Sequence, residues 1–231
     1  MSENHVEMQY IARIRTKFPT KFGIPRQSGL VPLEAMIVFE PPYRDENALR
    51  GIEEFSHLWI LWYFSESAGT SFSPTVRPPR LGGNVRMGVF ATRSPFRPNP
   101  IGLSSVRLER IEKHPEYGMV LYVTGADMMD GTPLFDIKPY LPFSDSHPDA
   151  LGGFSAALKD YTLEVELSPE LEAKIPQALR SGLHGVLAQD PRPSYVDDPL
   201  RVFGVWFDCY DIRFRVEGKR LIVLEIIEKN A

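Results

Sequence analysis

Short apolar runs, each bounded by turn-forming residues, recur along the first two thirds of the chain. Runs of this length that are rich in β-branched and aromatic residues predict β-strands. Six strands are predicted in this part of the sequence, over residues 8–14, 33–39, 58–64, 85–91, 105–111 and 119–124. Because long helices do not alternate with them, they favour a mainly β fold, an antiparallel barrel or sandwich, over a doubly wound sheet.

One short helix is predicted between the second and third strands, over residues 45–55. Its apolar residues are three positions apart and therefore share one face. Residues 143–158 combine prolines and glycines at close spacing, which is typical of a linker. The sequence therefore divides into a first unit over 1–155 and a smaller second unit over 156–231.

The second unit is predicted to be α+β. A strand over 161–167 precedes a helix that begins after Ser168, whose side chain can cap it, with Pro169 in the first helical position. Apolar residues recur every four positions as far as Leu187, and Pro176 is expected to kink this helix. Three more strands are predicted at 202–207, 210–216 and 221–227.

The composition bounds the class of protein. A chain of 231 residues can bury a sizeable core, and 21 prolines favour many turns over long helices. Cys209 is the single cysteine and the five histidines are scattered, so neither a disulfide framework nor a metal site is expected. Residues 1–10 have no apolar signal-peptide core, and the longest apolar run, 58–64, is too short to span a bilayer. We therefore expect a cytoplasmic protein without a membrane span.

Charge is unevenly distributed along the chain. The formal net charge is -4, yet residues 77–110 carry seven arginines against one acid, Glu109. The seven are Arg77, Arg80, Arg86, Arg93, Arg97, Arg107 and Arg110. The planar guanidinium suits phosphate and carboxylate groups, so this cluster indicates an anionic partner or ligand. The alternative is that individual arginines pair with acids elsewhere in the fold.

Motifs of the common enzyme classes are missing from the sequence. It contains no glycine-rich dinucleotide fingerprint, phosphate-binding loop, His-Glu-x-x-His helix or Gly-x-Ser-x-Gly elbow. These absences leave activities that need neither a metal nor a covalent intermediate. Methyl transfer from a sulfonium is one of them, because the leaving group is already activated and the protein mainly aligns the reactants and excludes water.

The densest candidate site is the segment 88–103, GVFATRSPFRPNPIGL. A strand is predicted to end at Ala91, and three prolines within six residues stiffen the loop that holds Arg93 and Arg97. Such a preorganised pair of arginines can receive a phosphate or an amino-acid carboxylate. The alternative is a rigid barrel corner whose arginines pair with nearby acids.

The segment 88–103 resembles the signature loop of the TsaA/TrmO family almost residue for residue. Other segments resemble the same family: FGIPRQ at 22–27, Arg50-Gly51 followed by FSHLWIL at 55–61, RPPRLGGN at 77–84, DGTP at 130–133, DIKPYLP at 136–142 and VLAQDPRP at 186–193. The resemblance therefore covers nearly the whole chain.

The resemblance implies an enzyme that transfers a methyl group from S-adenosylmethionine to N6 of N6-threonylcarbamoyladenosine at position 37 of tRNA, beside the anticodon. It also implies a single-sheet antiparallel β-barrel that binds the cofactor, a small C-terminal α+β domain and a homodimer. The residues that it implies for cofactor binding are Pro25, Arg26, Gln27, Arg93, Leu103, Asp130, Gly131, Thr132 and Pro133. Arg93 is expected to receive the methionine carboxylate and Leu103 to form an apolar wall.

At one position the sequence departs from the family pattern. Where the family usually has Phe-His-Gln, this chain has Phe64, Ser65 and Glu66. Ser65 and Glu66 are expected to occupy this place beside the cofactor without the imidazole.

For RNA, the sequence offers cations that can contact phosphates and tyrosines that can stack on bases. These candidates are Arg77, Arg80, Arg86, Arg97, Lys138, Tyr140, Asp190, Arg192 and Tyr195. Asp190 and Arg192 are expected to reach the partner's site in the dimer, and a salt bridge between them is the alternative. No catalytic base is predicted.

Two other functions could use the same residues. A non-enzymatic RNA-binding barrel would use the arginines without binding S-adenosylmethionine. A methyltransferase that acts on a small metabolite would keep the cofactor loop and leave the arginine surplus without a role. Cofactor binding separates the first alternative from an enzyme, and analysis of tRNA nucleosides separates the second.

Overall fold

The computed structural model of the chain describes residues 6–67, 71–78, 85–158, 160–192 and 198–229. Its strands are β1 (Ala12–Arg15), β2 (Glu34–Phe39), β3 (His57–Tyr63), β4 (Thr75–Val76), β5 (Met87–Gly88), β6 (Ile101–His114), β7 (Gly118–Thr124), β8 (Pro133–Pro139), β9 (Glu164–Glu166), β10 (Phe203–Phe207), β11 (Tyr210–Glu217) and β12 (Arg220–Glu228). Its α-helices are α1 (Pro142–Asp145), α2 (Pro169–Glu172) and α3 (Gln177–Ala188). No helix within the described ranges is long and apolar enough to cross a membrane.

Six strands form one antiparallel sheet in the order β1-β2-β7-β6-β3-β8. Strand β8 pairs with β1 as well as with β3, with Ala12 opposite Leu134, and this pairing closes the sheet. Side chains alternate between the faces of a strand, so alternate residues point inward. In β3, Leu58, Ile60 and Trp62 are buried, while the residues between them lie on the outer face. The mainly β fold that the sequence predicts is confirmed.

Of the strand predicted over 85–91, only β5 (Met87–Gly88) is present, and the prediction is wrong for the residues that follow. Residues Val89–Ala91 form a 3₁₀ turn instead. The Val89 amide donates to the Pro74 carbonyl at 3.0 Å and the Thr92 amide donates to the Val89 carbonyl at 3.1 Å. The chain therefore turns here to meet the preceding loop, and no further strand pairing forms.

The predicted helix over 45–55 is also wrong as a continuous element. The segment forms two 3₁₀ turns, Glu46–Leu49 and Ile52–Glu54. Gly51 lies between them with a φ of 89°. A left-handed backbone at this point interrupts the helical hydrogen bonding, so the chain cannot continue as one helix.

Strand β8 has no counterpart among the predicted strands. Two charged residues, Asp136 and Lys138, interrupt its apolar pattern, and prolines stand at both ends. Prolines are tolerated at strand ends, where the missing amide hydrogen is not needed for the ladder. The strand acquires its regular pairing only between β1 and β3.

The second unit contains a four-stranded sheet in the order β10-β11-β12-β9, in which β9 runs parallel to β12. Helix α3 belongs to the same buried cluster as this sheet through Leu183, Val186 and Leu187, together with Phe207 and Phe214 of the sheet. The α+β character predicted for this part of the chain is present.

The helix predicted after residue 168 is two helices in the structure. Ser168 caps α2, as predicted, because its Oγ accepts a hydrogen bond from the Leu171 amide at 3.3 Å. Pro176 then stands immediately before α3. The expected kink is therefore a complete break, since proline cannot donate the helical hydrogen bond.

The segment between β1 and β2 contacts both units. Phe18, Val31 and Leu33 are buried in the same cluster as α3. Gly182 permits this close approach, because a Cβ at that position would lie 2.1 Å from Leu33 Cδ2. Residues 25–28 of this segment are consequently held beside both the six-stranded sheet and the end of α3.

Candidate functional site

A cavity of about 470 Å³ lies against the outer face of the six-stranded sheet. Strands β3 and β6 form part of its lining. The rest comes from three segments outside these strands, which contain Ser28, Arg93, and Tyr140 with Asp145. The cavity is lined by Ser28, His57, Trp59, Arg93, Ser105, Tyr140 and Asp145. Arg93 and Tyr140 are the two lining residues that the sequence predicts as site residues.

The predicted cofactor residues Gln27 and Arg93 come together at this cavity. Arg93 Nη1 donates a hydrogen bond to Gln27 Oε1. The Oγ of the next residue, Ser28, accepts a hydrogen bond from the Ser105 amide at 3.2 Å. Pro25, in the same segment, is buried. Arg93 forms no ion pair among the described residues. Its guanidinium can therefore receive an anionic group of a ligand.

A buried polar chain lies close to Arg93, and the sequence does not predict it. Trp62 Nε1 donates to Ser104 Oγ at 2.9 Å, and Ser104 Oγ donates to Asp127 Oδ1 at 2.5 Å. Ser104 is fully buried. Burial raises the pKa of Asp127, and the Ser104 hydrogen bond and the Arg93 charge partly offset this increase. The Asp127 carboxyl therefore interacts with the buried Ser104 on one side and with the positive charge of Arg93 on the other.

Replacing Asp127 by asparagine tests this environment through the pH dependence of stability. A carboxyl whose pKa rises on folding binds more protons in the folded than in the unfolded protein, so stability falls as the pH rises from the ordinary pKa of 3.8 through the raised value. We expect the free energy of unfolding of the wild type to decrease, relative to that of Asp127→Asn, over this window. Chemical denaturation of both proteins at a series of pH values measures the difference. A difference that does not change with pH would contradict the raised pKa.

One wall of the cavity is aromatic. The ring centroids of Trp59 and Tyr140 are 5.6 Å apart, and those of His57 and Tyr140 are 6.1 Å apart. Asp145 Oδ2 accepts hydrogen bonds from Trp59 Nε1 at 2.8 Å and from the Leu141 amide at 2.9 Å. The bond from the Leu141 amide and then that from Trp59 hold the pKa of Asp145 below its usual range.

Leu103 lies on the same outer face, next to the cavity. Its side chain is 50% exposed, and it stands opposite Leu61 of β3. It precedes Ser105 by two positions in β6, so their Cα atoms are about 6.5 Å apart. An exposed leucine in this position fits the apolar wall that the family resemblance implies.

The predicted cofactor residues 130–133 form a turn at the far end of β8. Asp130 Oδ1 accepts a hydrogen bond from the Thr16 amide at 3.0 Å, and Thr132 Oγ1 donates to a backbone carbonyl at 2.7 Å. Gly131 has a φ of 76°, which a residue with a side chain adopts only with strain. These contacts tie the turn to the segment around β1, and the turn does not line the cavity.

Ser65 and Glu66 follow β3, at the same end of the sheet as this turn. They belong to a 3₁₀ turn, Ser65–Ser67, and the Glu66 carbonyl accepts a hydrogen bond from Lys21 Nζ at 2.5 Å. The predicted cofactor residues therefore occupy two places along the sheet. Leu103 lies between these places on the outer face.

Arg26 contacts the second unit. Its Nη2 donates to the Gln189 carbonyl, and its guanidinium carbon lies 5.6 Å from the centroid of the Tyr161 ring. The Tyr161 hydroxyl donates to Asp190 Oδ2 at 2.8 Å, and Arg192 Nε donates to Asp190 Oδ1 at 3.0 Å. The salt bridge between Asp190 and Arg192, which the sequence leaves open, is therefore present and largely buried.

The arginine cluster divides according to its ion pairs. Arg107 pairs with Glu109, and Arg110 pairs with Glu34 and Glu112. Four other members form no ion pair within the part of the chain that the structure describes: Arg77, Arg86, Arg93 and Arg97. The alternative of internal ion pairs therefore holds for the end of the cluster and, as far as the described ranges go, does not hold for these four.

The remaining RNA candidates have other neighbours. Arg86 Nη1 donates to Thr75 Oγ1 at 3.2 Å, and Arg97 Nη1 donates to two carbonyls of its own loop at 3.0 and 3.3 Å. Lys138 forms an ion pair with Asp136 at 2.8 Å, and this hydrogen bond raises the pKa of Lys138. Two candidates, Arg80 and Tyr195, lie outside the described residues.

Two family profiles match the chain. The tRNA-methyltransferase O N-terminal domain matches residues 13–146, and the TrmO C-terminal domain matches residues 160–229. The chain belongs to the tRNA-methyltransferase O family. The resemblance found in its motifs is confirmed.

Relatives within the tRNA-methyltransferase O family match nearly the full chain. A tRNA (adenine(37)-N6)-methyltransferase of Escherichia coli is 43% identical over 220 residues, which are 91% of this chain and 93% of that protein. A Pseudomonas aeruginosa protein whose name includes the words S-adenosylmethionine-dependent methyltransferase is 39% identical over 226 residues, 94% of this chain and 95% of that protein. The crystal structure of TrmO from Pseudomonas aeruginosa superposes with a TM-score of 0.76 at 34% identity, covering 96% of this chain and 99% of that one.

The groups at the two places fit S-adenosylmethionine, the cofactor of the family. Arg93, which forms no ion pair among the described residues, suits the cofactor's carboxylate, and the half-exposed Leu103 suits an apolar part. The Asp130 carboxylate, whose Oδ2 lies 3.6 Å from Arg15 Nη1, suits a hydroxyl group. Within the described ranges, no three histidine, cysteine, aspartate or glutamate side chains are grouped as a metal site.

The sequence prediction lacks five residues that line the cavity and the neighbouring Asp127; the five are Ser28, His57, Trp59, Ser105 and Asp145. A signal existed for Trp59, because alternation in the run 58–64 puts it on the face opposite Leu58. Asp145 falls in the predicted linker, where nothing distinguishes it. Asp127 becomes notable only through its bond to Ser104.

Proposed function

We propose that this protein is an S-adenosylmethionine-dependent methyltransferase that methylates N6 of N6-threonylcarbamoyladenosine at position 37 of tRNA, beside the anticodon. The observation that carries the proposal is the convergence of Gln27, Arg93 and an aromatic wall at one cavity, in a chain that belongs to the family over most of its length. The name of the Escherichia coli relative supports the tRNA adenine as the acceptor.

We propose that both groups of predicted residues hold the cofactor. Arg93, oriented by Gln27, binds the carboxylate at the cavity, and Asp130 and Gly131 contact the nucleoside part at the far end of the sheet, beside Ser65 and Glu66. When bound, S-adenosylmethionine supplies a methyl group on a positively charged sulfur, so that transfer forms an N6–carbon bond, leaves a neutral thioether and releases the N6 proton. Leu103 excludes water between the two groups.

Other predicted cofactor residues act by holding this arrangement. Pro25 is buried and restricts the backbone before Arg26, and Arg26 attaches the segment to the end of α3. The Thr132 side chain stabilises the turn that ends at Pro133, the first residue of β8. These residues fix the position of Gln27 and of the Asp130 carboxylate relative to the sheet.

The RNA is proposed to bind through the arginines that have no acid partner in the described part of the chain. Arg77, Arg86 and Arg97 contact phosphates of the anticodon loop, and Tyr140 offers an aromatic ring to a base. Lys138 can exchange its pairing with Asp136 for a phosphate. Asp190 and Arg192 are engaged with each other, so we propose that they act through Arg26 and the end of α3.

We further propose that the closed sheet within residues 1–155 is the β-barrel of the family and that 156–231 is its C-terminal domain. The two family profiles, which end at residue 146 and begin at residue 160, support this division. The enzyme is proposed to be a cytoplasmic homodimer, in keeping with the family resemblance and with a site that lies open on the outer face of the sheet.

Mass spectrometry of tRNA nucleosides tests the function. We expect N6-methyl-N6-threonylcarbamoyladenosine in cells complemented with this protein, and only the unmethylated nucleoside in cells that lack it. Complementation with Arg93→Ala serves as the control and should not restore the methyl group. Identical nucleosides in both strains, with cofactor binding intact, would favour a small-metabolite methyltransferase. Loss of any cofactor binding by the wild type would favour an RNA-binding barrel.

A further inference from the structure

We infer that the aromatic wall of the cavity, formed by Trp59 and Tyr140, contacts the acceptor purine base, while Arg93 at the same cavity holds the carboxylate of the cofactor. The inference rests on the proposed function and adds where the base binds and which residue fixes the aromatic surfaces. Neither Trp59 nor the residue that orients it belongs to a cofactor motif of the family resemblance. The volume of the cavity, about 470 Å³, lies within the usual range for sites that bind small molecules.

The chemistry of the wall suits a nucleobase. Trp59 and Tyr140 are partly exposed rings with centroids 5.6 Å apart and planes inclined by 42°, and His57 adds a third ring 6.1 Å from Tyr140. Stacking on an aromatic face stabilises an unstacked base whatever its hydrogen-bonding edge. A base taken out of the anticodon loop can therefore exchange stacking on its neighbours for contact with these rings.

Asp145 holds the wall in place without a ligand. A single oxygen, Oδ2, accepts both the Trp59 indole at 2.8 Å and the Leu141 amide at 2.9 Å. The Tyr140 amide donates to the His57 carbonyl at 3.0 Å. This bond holds the backbone of Tyr140 against the beginning of β3, two residues before Trp59. The rings are thus oriented before the base enters, and less entropy is lost on binding. Asp145 is a positioning residue, since it acts through Trp59.

The position of the cavity relative to Leu103 supports an acceptor base over another ligand. Ser105 lines the cavity and stands opposite Trp59 in the pairing of β6 with β3. Leu103, the proposed neighbour of the cofactor, is two residues before Ser105 on the same face, about 6.5 Å away. A base against Trp59 therefore lies next to the proposed cofactor path, as methyl transfer requires.

The first test uses the unaltered protein and does not depend on the folding of a variant. The chain has three tryptophans, Trp59, Trp62 and Trp206, whose indole N–H resonances can be followed separately by NMR. An anticodon stem-loop that carries N6-threonylcarbamoyladenosine is added until fluorescence anisotropy shows that binding is complete. We expect the Trp59 resonance to shift and the Trp206 resonance, in the second unit, to stay in place. An unmoved Trp59 resonance at complete binding would overturn the inference.

The second test measures kinetics with Trp59→Leu and Tyr140→Leu. Loss of one aromatic contact is expected to lower kcat/KM for the stem-loop about tenfold. The affinity for S-adenosylmethionine, measured by calorimetry, is expected to stay within about twofold of the wild type. Tyr117→Leu is the matched control, because Tyr117 stacks on His114 in the β6–β7 hairpin and does not line the cavity.

Asp145 is tested by comparing alanine with asparagine. Asp145→Ala removes the acceptor for both bonds and is expected to reduce kcat/KM as strongly as Trp59→Leu, while Asp145→Asn keeps an acceptor oxygen and is expected to recover most of the activity.

Cofactor affinity that falls in parallel with kcat/KM in these variants would instead assign the aromatic wall to the cofactor. A wild type that binds cofactor but methylates no RNA would refute the proposed function, whereas an active wild type with fully active Trp59→Leu and Tyr140→Leu would refute only this inference.

Discussion

The Arg93→Ala variant is expected to bind S-adenosylmethionine about 30- to 150-fold more weakly than the wild type. Arg93 has no ion pair among the described residues, and its side-chain hydrogen bond goes to the neutral Gln27. Its guanidinium is therefore left to make charge-assisted bonds to a carboxylate, which contribute about 1.5–3 kcal/mol each. A loss of about 2–3 kcal/mol corresponds to the expected change in Kd, and calorimetric titration measures it.

Arg107→Ala is the matched control for this measurement. Arg107 belongs to the same arginine cluster and is well exposed, but it pairs with Glu109 at 3.5 Å. Its removal should leave the cofactor Kd within about twofold of the wild type, because exposed pairs contribute little. If Arg93→Ala bound the cofactor as tightly as Arg107→Ala, the loop would be only a rigid corner of the sheet.

The double variant Arg77→Ala, Arg86→Ala is expected to weaken tRNA binding about 15- to 30-fold at 0.15 M salt. Each phosphate contact contributes about 0.7–0.9 to the slope of log K against log salt, so two contacts should lower the slope by about 1.4–1.8. These two arginines are preferable to Arg97, because Arg97 also donates to carbonyls of its own loop and its loss would loosen that loop. Fluorescence anisotropy over a series of salt concentrations measures both quantities.

The control for the RNA measurement is the double variant Arg110→Ala, Arg220→Ala. Both side chains are exposed to a similar degree, but Arg110 pairs with Glu34 and Arg220 with Glu166. The control removes the same formal charge from the chain, so a general electrostatic effect would appear in both variants. An equal salt dependence for the two double variants would exclude a specific role for Arg77 and Arg86.

The strands of the fold differ in how far local sequence predicts them. Strands β3 and β7 are predicted within one or two residues because their apolar runs are uninterrupted and flanked by turn residues. Strand β8 is not predicted, since its charged and proline residues hide the pattern, and its structure depends on pairing with β1 and β3. The segment 85–91 has the composition of a strand but lacks a partner along most of its length.

The residues of the site also differ in how far local sequence predicts them. The segment 88–103 and the other family motifs pointed to Gln27 and Arg93, and the structure brings these two together. No local pattern could tell that Arg110 would pair with Glu34, 76 residues away. Nor could it join Trp59 to Asp145, which are 86 residues apart in the sequence and 2.8 Å apart between their bonded atoms.

By itself, the sequence determined the mainly β class and the family, because periodicity and ordered motifs are properties of neighbouring residues. Only the tertiary structure decided which arginines pair with acids, that Asp127 is hydrogen-bonded to the buried Ser104, and that an aromatic wall lies on the same face as Leu103. These features arise from contacts between distant parts of the chain, and burial and pairing, which set the charge and the affinity of a site, are defined only once those parts have packed together.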